Sequence, residues 1–310
     1  MRIVSDHAFY SCAAHDDLMA QWEQVRFEPG PLELDLTKVT FVDPYGIVGL
    51  VLFLTHLPDE AKPVSLRMEG FPLPAGAKPK PVLNLSEHSP VDYLTLMGFW
   101  EEVGPALDVP ADRLPVRPAW TEDRSVLIDV TRLHSRDSVS VMLRKSGEIL
   151  QNLGYAAVSR GHVMEVLSEL SSNVLDHAQA EYGGLVTTQT YRGKGGTRYL
   201  VMSIGDMGVG VRRSLAGNVM LQNRLSSDAQ ALAVAVGQGN SRFTSSGRGG
   251  GLPRVLEIAR RYHGVVAFRS GTGALAYTGQ SDERRVFDTS PQPGTQLRIT
   301  LPEGQLMGSG

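Results

Sequence analysis

The sequence predicts two units in series, a small α/β unit followed by an α+β sandwich, and three features carry that expectation. "LELDLTKVTFVD" (Leu32 to Asp43) alternates apolar and polar residues and leads across Pro44 into "YGIVGLVLFLTHL", which is apolar nearly all round. That is the pattern of a half-buried strand feeding a buried helix. "GPALDVPADRLPVRPAWTEDR" (Gly104 to Arg124) then brings four prolines together and reads as a linker or extended crossing segment. Beyond it, "LVTTQTYRG" and "RYLVMSIGD" flank the turn "KGG" as an antiparallel pair does, with helical periodicity on either side.

Taken in order, a tight turn at Asp43-Pro44-Tyr45-Gly46 joins the first strand to its helix. "VSLRMEG" reads as a strand and "VDYLTLMGFWEEVG" as one amphipathic helix, while the Pro-rich "GFPLPAGAKPKP" between them is a loop. The second unit opens with the strand "SVLIDVTRL". Helices follow in "DSVSVMLRKSGEILQNLG" and "GHVMEVLSELSSNVLDHAQ", and then comes the strand pair. After a long segment come the helix "LPRVLEIARRYHG", a pair of strands "VVAFRSG" and "ALAYTG", and a last strand "TQLRITLP". The domains expected are residues 1–104, a linker at 105–124, 125–302, and a disordered tail at 303–310.

A chain of 310 residues is long enough for two cores at roughly 100–200 residues per domain. A net charge of −3 argues against a protein that coats nucleic acid, and Arg254, Arg260 and Arg261 read as a solvated helix face. The single cysteine, Cys12, excludes an intrachain disulfide. The longest apolar run, "GIVGLVLFL", falls short of the ~20 residues that cross a bilayer, and no signal peptide is visible, so a cytoplasmic protein without a membrane span is expected.

Four short patterns carry chemistry. In "SELSSNVLDHA" the apolar stripe Val163, Val166, Leu167, Leu170, Val174 leaves Glu169 and Asn173 four apart on another face, stacked one turn from each other. A carboxylate there can take a proton from water or a hydroxyl, and an amide oxygen can enter the shell of Mg²⁺, although a polar helix face is more often simply solvated. Asp206-Met-Gly208-Val-Gly210 follows an apolar strand, so a strand-end carboxylate can accept from an adenine amine while the glycines admit a flat ring. Gly247-Arg248-Gly249-Gly250-Gly251-Leu252 opens a helix with Pro253 in its first turn, an arrangement that offers free amides to an anion. Gly294-Thr295 precedes the last strand. Neither a dinucleotide fingerprint nor a Walker loop fits these spacings.

The order of "SELSSNVLDHA", "DMGVG", "GRGGGL" and "GT" resembles the GHKL superfamily of ATP-binding domains, found in histidine kinases, type II topoisomerases, heat-shock chaperones and anti-sigma-factor serine kinases. The resemblance covers roughly residues 125–302 and implies a Bergerat sandwich binding ATP and Mg²⁺. It implies Glu169 as general base, Asn173 as Mg²⁺ ligand, Asp206 as adenine acceptor and Thr295 as a base-side contact. Gly208 and Gly210 would line the adenine pocket. Gly247, Arg248, Gly249, Gly250, Gly251 and Leu252 would border the phosphates, and Val211 to Ser246 would be the lid, with Arg242 near its end. His177 would be a supporting hydrogen-bonding residue. The first unit resembles a STAS domain, the fold of anti-sigma-factor antagonists, but Pro44 stands where that family carries its phosphorylatable serine or threonine.

These resemblances imply an ATP-dependent regulatory switch with Mg²⁺-dependent ATPase activity, working through a regulatory protein partner. The alternative is a serine/threonine kinase of the anti-sigma type, and a histidine kinase or DNA-clamp ATPase is more distant. Relatives often dimerise, so a homodimer is also implied.

Overall fold

A computed structural model describes residues 1–74, 89–117, 126–177, 182–193, 195–237 and 251–307, with the side chains of 126, 127 and 177 outside the description. The chain is mixed α/β and divides into two compact units, Met1–Val130 and Thr131–Gly310.

The first unit runs β1 (Arg2–Val4), β2 (Phe9–Tyr10), α1 (Cys12–Val25), β3 (Glu33–Asp35), β4 (Phe41–Val42), α2 (Pro44–Thr55), β5 (Ser65–Arg67), α3 (Pro90–Leu96) and α4 (Phe99–Val103). β1, β3 and β5 form a parallel sheet in the order β1-β3-β5, and β2 pairs with β4 in a second parallel pair. The strand expected from Leu32 to Asp43 is therefore two strands in different sheets. Asp35 Oδ1 accepts from Thr37 N at 3.1 Å and Thr37 Oγ1 at 2.7 Å, a local turn that competes with continued extension.

The expected tight turn at Asp43 is instead the N-terminus of α2. The buried Asp43 carboxylate accepts from Gly46 N at 2.8 Å and from Ser11 Oγ at 2.6 Å, and Pro44 occupies the first turn, where its missing N–H costs nothing. The single helix expected over "VDYLTLMGFWEEVG" breaks into α3 and α4 because Gly98 takes φ +73°. Residues 105–117 of the expected linker belong to this unit. Val64 bridges Leu107, Arg113 Nε donates to Leu73 O at 3.0 Å, and residues 118–124 lie outside the description.

The second unit carries β6 (Val126–Leu133, within which the division falls), α5 (Arg136–Asn152), α6 (Ala157–His177), β7 (Gly184–Arg192), β8 (Arg198–Asp206), α7 (Gly210–Leu215), α8 (Asp228–Ala235), α9 (Gly251–Arg261), β9 (Val265–Thr278) and β10 (Glu283–Pro302). The sheet order is β6-β7-β8-β10-β9, with β7–β8, β8–β10 and β10–β9 antiparallel. α6 packs on α5, α9, β7 and β8, whereas α8 and α9 pack on β9 and β10.

The two strands expected in "VVAFRSG" and "ALAYTG" form one strand, β9, that doubles back at Gly271 (φ +59°). A straight strand rises ~3.3 Å per residue, yet Gly279 N donates to Gly264 O at 2.7 Å, so the two ends meet. β10 is far longer than "TQLRITLP" and includes Glu283 to Gln292. The expected tail is built in through residue 307. Glu303 is buried, pairs with Arg198 Nε at 2.6 Å and accepts from Tyr155 Oη at 2.9 Å, and Leu306 is fully buried. Residues 308–310 lie outside the description.

Because Asp43 both caps α2 and satisfies a buried hydroxyl, Asp43→Ala should lower stability by about 2–3 kcal/mol in urea titration. A loss under about 0.5 kcal/mol would show the cap to be dispensable.

Candidate functional site

Register alone builds the floor of the site. Gly184 pairs with Asp206, Asp206 with Thr295, and Thr295 with Ser270, so one row crosses β7, β8, β10 and β9. Residues paired in register project from the same face, and the face is identified by α6. A Cβ on Gly184 would lie 2.5 Å from Val174 Cγ1, so the row looks toward the helix that carries Asn173 next to Val174.

Asp206, 5% exposed, is the charged member of that row. Its carboxyl accepts from Gly208 N at 2.8 Å and from the Thr295 backbone N–H. Burial nevertheless raises it from 3.8 to about 6, outweighing those two donors. Two amides leave further lone pairs on this carboxylate for a ligand donor. Gly294 makes the crossing possible. It takes φ +70°, and any Cβ there would collide with Asp206 O, so a side chain at 294 would push β10 off β8. Ser270, which sequence reasoning missed, ties the next segment down: its Oγ accepts from Val211 N at 2.9 Å and donates to Gly294 O at 2.8 Å. A Cβ on Gly210 (φ +74°) would stand 2.9 Å from that same Oγ.

The second wall is the face of α6 toward α9. A Cβ on Gly251 would lie 2.6 Å from Glu169 Oε2 and 3.5 Å from Asn173 Nδ2. The first turn of α9 thus reaches both polar residues of α6 at a point where only a bare α-carbon fits without displacing the carboxylate. Leu252, the next residue, packs against the apolar cluster Leu215, Leu221, Leu225, Ala231, Val234 and Ala235.

The segment from Val211 to Ser246, expected as the lid, contributes that cluster. Its described part, through residue 237, is α7, a short 3-10 turn at Val219–Arg224 and α8, packed around leucines and pinned to β9. Asp228 Oδ2 accepts from Thr272 N at 2.9 Å and Thr272 Oγ1 at 3.1 Å, against glycines 271 and 273, where a Cβ would clash. Gly247, Arg248, Gly249, Gly250 and Arg242 lie outside the described residues.

The structure therefore brings Glu169, Asn173, Gly251 and Leu252 together as one group and Asp206, Gly208, Gly210 and Thr295 as another. Val174 against Gly184 links the two. Asp176 pairs with Arg136 at 3.1 Å, and nothing is described of the His177 side chain. Arg254, expected on a solvated face, is paired to Glu165 and Glu257. Among the described residues no cluster of three His, Cys, Asp or Glu side chains forms, and no helix is long and apolar enough to cross a membrane.

No family model matches the chain, and no curated protein matches it. Among solved structures it is similar to the histidine kinase domain from the Erythrobacter litoralis EL346 blue-light activated histidine kinase, at 12% identity and a TM-score of 0.27. That likeness covers 55% of this chain and 63% of the other, so the chain spans under two thirds of its neighbour's length. A likeness of this size decides nothing about function.

Because the folded state holds the Asp206 proton up to about pH 6, against 3.8 unperturbed, burial of this group costs nothing below pH 4. The penalty grows between pH 4 and 6 and is complete above 6, with an upper bound of about 3 kcal/mol at 1.36 kcal/mol per unit. Asp206→Asn should therefore gain stability relative to wild type between pH 4.5 and 7.5 in denaturant titrations. A difference that does not change with pH would contradict the assignment.

Proposed function

We propose that the chain is an ATP-binding regulatory protein of the GHKL type, a conformational switch that acts through a partner protein and carries Mg²⁺-dependent ATPase activity. The observation that supports it most is the close approach of Gly251 to Glu169 and Asn173. It puts the opening turn of a helix, with N–H groups free of intrahelical partners, beside a carboxylate and an amide. A triphosphate suits the former, and water or a hydroxyl suits the latter.

Each residue then has a task. Asp206 accepts from the exocyclic amine of adenine, a neutral donor that favours the ionised carboxylate. Thr295, its register partner, faces the base edge, and Gly208 and Gly210 leave room for the ring. The amides of Gly251 and Leu252 donate toward phosphate oxygens. Glu169 takes the proton from the attacking oxygen. Mg²⁺, when bound with the nucleotide, would neutralise phosphate charge, and Asn173 is the side chain that would hold it. Arg242 and Arg248 remain candidates for the terminal phosphate.

The alternative, a serine/threonine kinase, differs only in which oxygen Glu169 activates. Glu169 is half-buried rather than sealed, which suits a hydroxyl delivered by a partner as well as water. The first unit is read as STAS-like, and its Asp43-Pro44 pair caps and opens α2, so this position works as a helix cap instead of an acceptor hydroxyl. Closure over nucleotide is the step that would alter what the partner sees.

Incubating the full chain with γ-labelled ATP and Mg²⁺, with and without copurifying proteins, separates the readings. Free labelled phosphate is expected, and Glu169→Gln should cut its release about 100-fold or more while leaving ATP binding within about threefold. Label on a partner would replace the ATPase by the kinase. Release unchanged in Glu169→Gln would remove Glu169 as the base.

A further inference from the structure

α6 and α9 meet at a second point, one helical turn from the first. Arg254 Nε donates to Glu165 Oε1 at 2.7 Å and Nη2 to Glu165 Oε2 at 3.0 Å, a two-pronged fork, while Nη1 reaches Glu257 Oε1 at 2.7 Å within α9. Glu165, Glu169 and Asn173 are spaced i, i+4, i+8 and share one face of α6; Gly251 and Arg254 are three apart and share one face of α9. The helices are thus zipped by two adjacent contacts, the fork on Glu165 and the bare α-carbon on Glu169. The far end of α9 is held separately, by Tyr262 Oη against His162 Nδ1 at 2.7 Å, and its core stripe is Val255, Ile258 and Ala259.

We propose that Arg254 is a positioning residue for the phosphate side of the nucleotide site: its fork on Glu165 sets where the first turn of α9 stands over Glu169 and Asn173. The inference rests on the nucleotide reading above. A helix rises about 1.5 Å per residue, so Gly251 lies only about 4.5 Å along the axis from Arg254, too short a lever for the turn to move freely of the fork. The guanidinium plane fixes two bonds at once and hence an orientation, which a lysine ammonium does not. Glu257 pulls on the third nitrogen and keeps the guanidinium from swinging toward solvent. Tyr262 and the apolar stripe hold the far part of the helix and Leu252 packs the first turn on the leucine cluster, so loss of the fork lets that turn shift about Leu252 and leaves the fold and the Asp206 end of the site intact.

The test is calorimetric titration of ATP with Mg²⁺, and of adenosine, into the full-length wild type and into Arg254→Gln, Arg254→Lys, Glu165→Gln and the double variant Arg254→Gln/Glu165→Gln, each with its melting curve. Arg254→Gln should weaken ATP about tenfold or more and adenosine by no more than about twofold. Glu165→Gln should act in the same direction, Arg254→Lys should not restore wild-type affinity, and the double variant should be no weaker than the worse single one, because both remove one contact. ATP affinity within twofold of wild type in both single variants, additive losses in the double variant, or equal loss of ATP and adenosine would each overturn the proposal. If Arg254→Gln fails to fold, Glu165→Gln carries the same reading. Wild type that binds neither ATP nor adenosine would instead bring down the nucleotide reading itself, and this proposal with it.

Discussion

Gly251 stands so close to the Glu169 carboxylate that a Cβ there would push the carboxylate aside, and the candidate site of the second unit is arranged around that approach. A helix N-terminus gathers partial positive charge and unpaired amides. A carboxylate and an amide on a neighbouring helix are ordinary surface groups until something charged is brought to them. Glycine at 251 lets the first turn of α9 come against both side chains, and Leu252 anchors that turn by packing on the leucine cluster of the segment before it. The same logic recurs at Gly294, where a positive φ and the missing Cβ let β10 cross Asp206. A missing Cβ at both glycines, with a positive φ at Gly294 alone, permits the close approach at each end of the candidate site.

The candidate site also carries a cost. A buried carboxylate held near pH 6 in place of 3.8 is a standing penalty at neutral pH, only partly relieved by two backbone amides. The rest of the row, Gly184, Thr295 and Ser270, is neutral, so no nearby cation compensates within it. A buried carboxylate at a strand end with only two backbone donors beside it is a candidate binding position. The Arg254–Glu165 fork, by contrast, is half-exposed and bidentate, and it orders two helices relative to each other without that burden.

Much of this was legible in the sequence wherever the signal was local. Helical periodicity located α5, α6 and α9, the turn "KGG" announced the β7–β8 pair, and the spacing of Glu169 and Asn173 was enough to stack them. What sequence could not carry were pairings across distance and single backbone angles. "ERRVFDTSPQP" is charged and proline-containing, unlike an interior strand, yet it forms half of β10 by pairing with β9. Gly98 and Gly271 look like any other glycine until their positive φ breaks a helix or folds a strand back. Glu303 reads as a tail residue because its partners, Arg198 and Tyr155, lie more than 100 positions away. Arg254 reads as one of a solvated set, and Ser270 as an ordinary strand residue, because Glu165 lies 89 positions from the first and Val211 59 from the second.

The central claim is that Asp206 and the Glu169–Gly251 approach are two ends of one adenine nucleotide site. The most direct test is the affinity of Asp206→Ala for ATP, measured by equilibrium titration beside wild type at pH 7.5 in Mg²⁺, with folding verified by circular dichroism. Loss of the buried carboxylate of the row should weaken ATP by about 100-fold, the worth of about 2–3 kcal/mol for a charge-assisted hydrogen bond. A folded Asp206→Ala protein that binds ATP with unchanged affinity would contradict the account at its root.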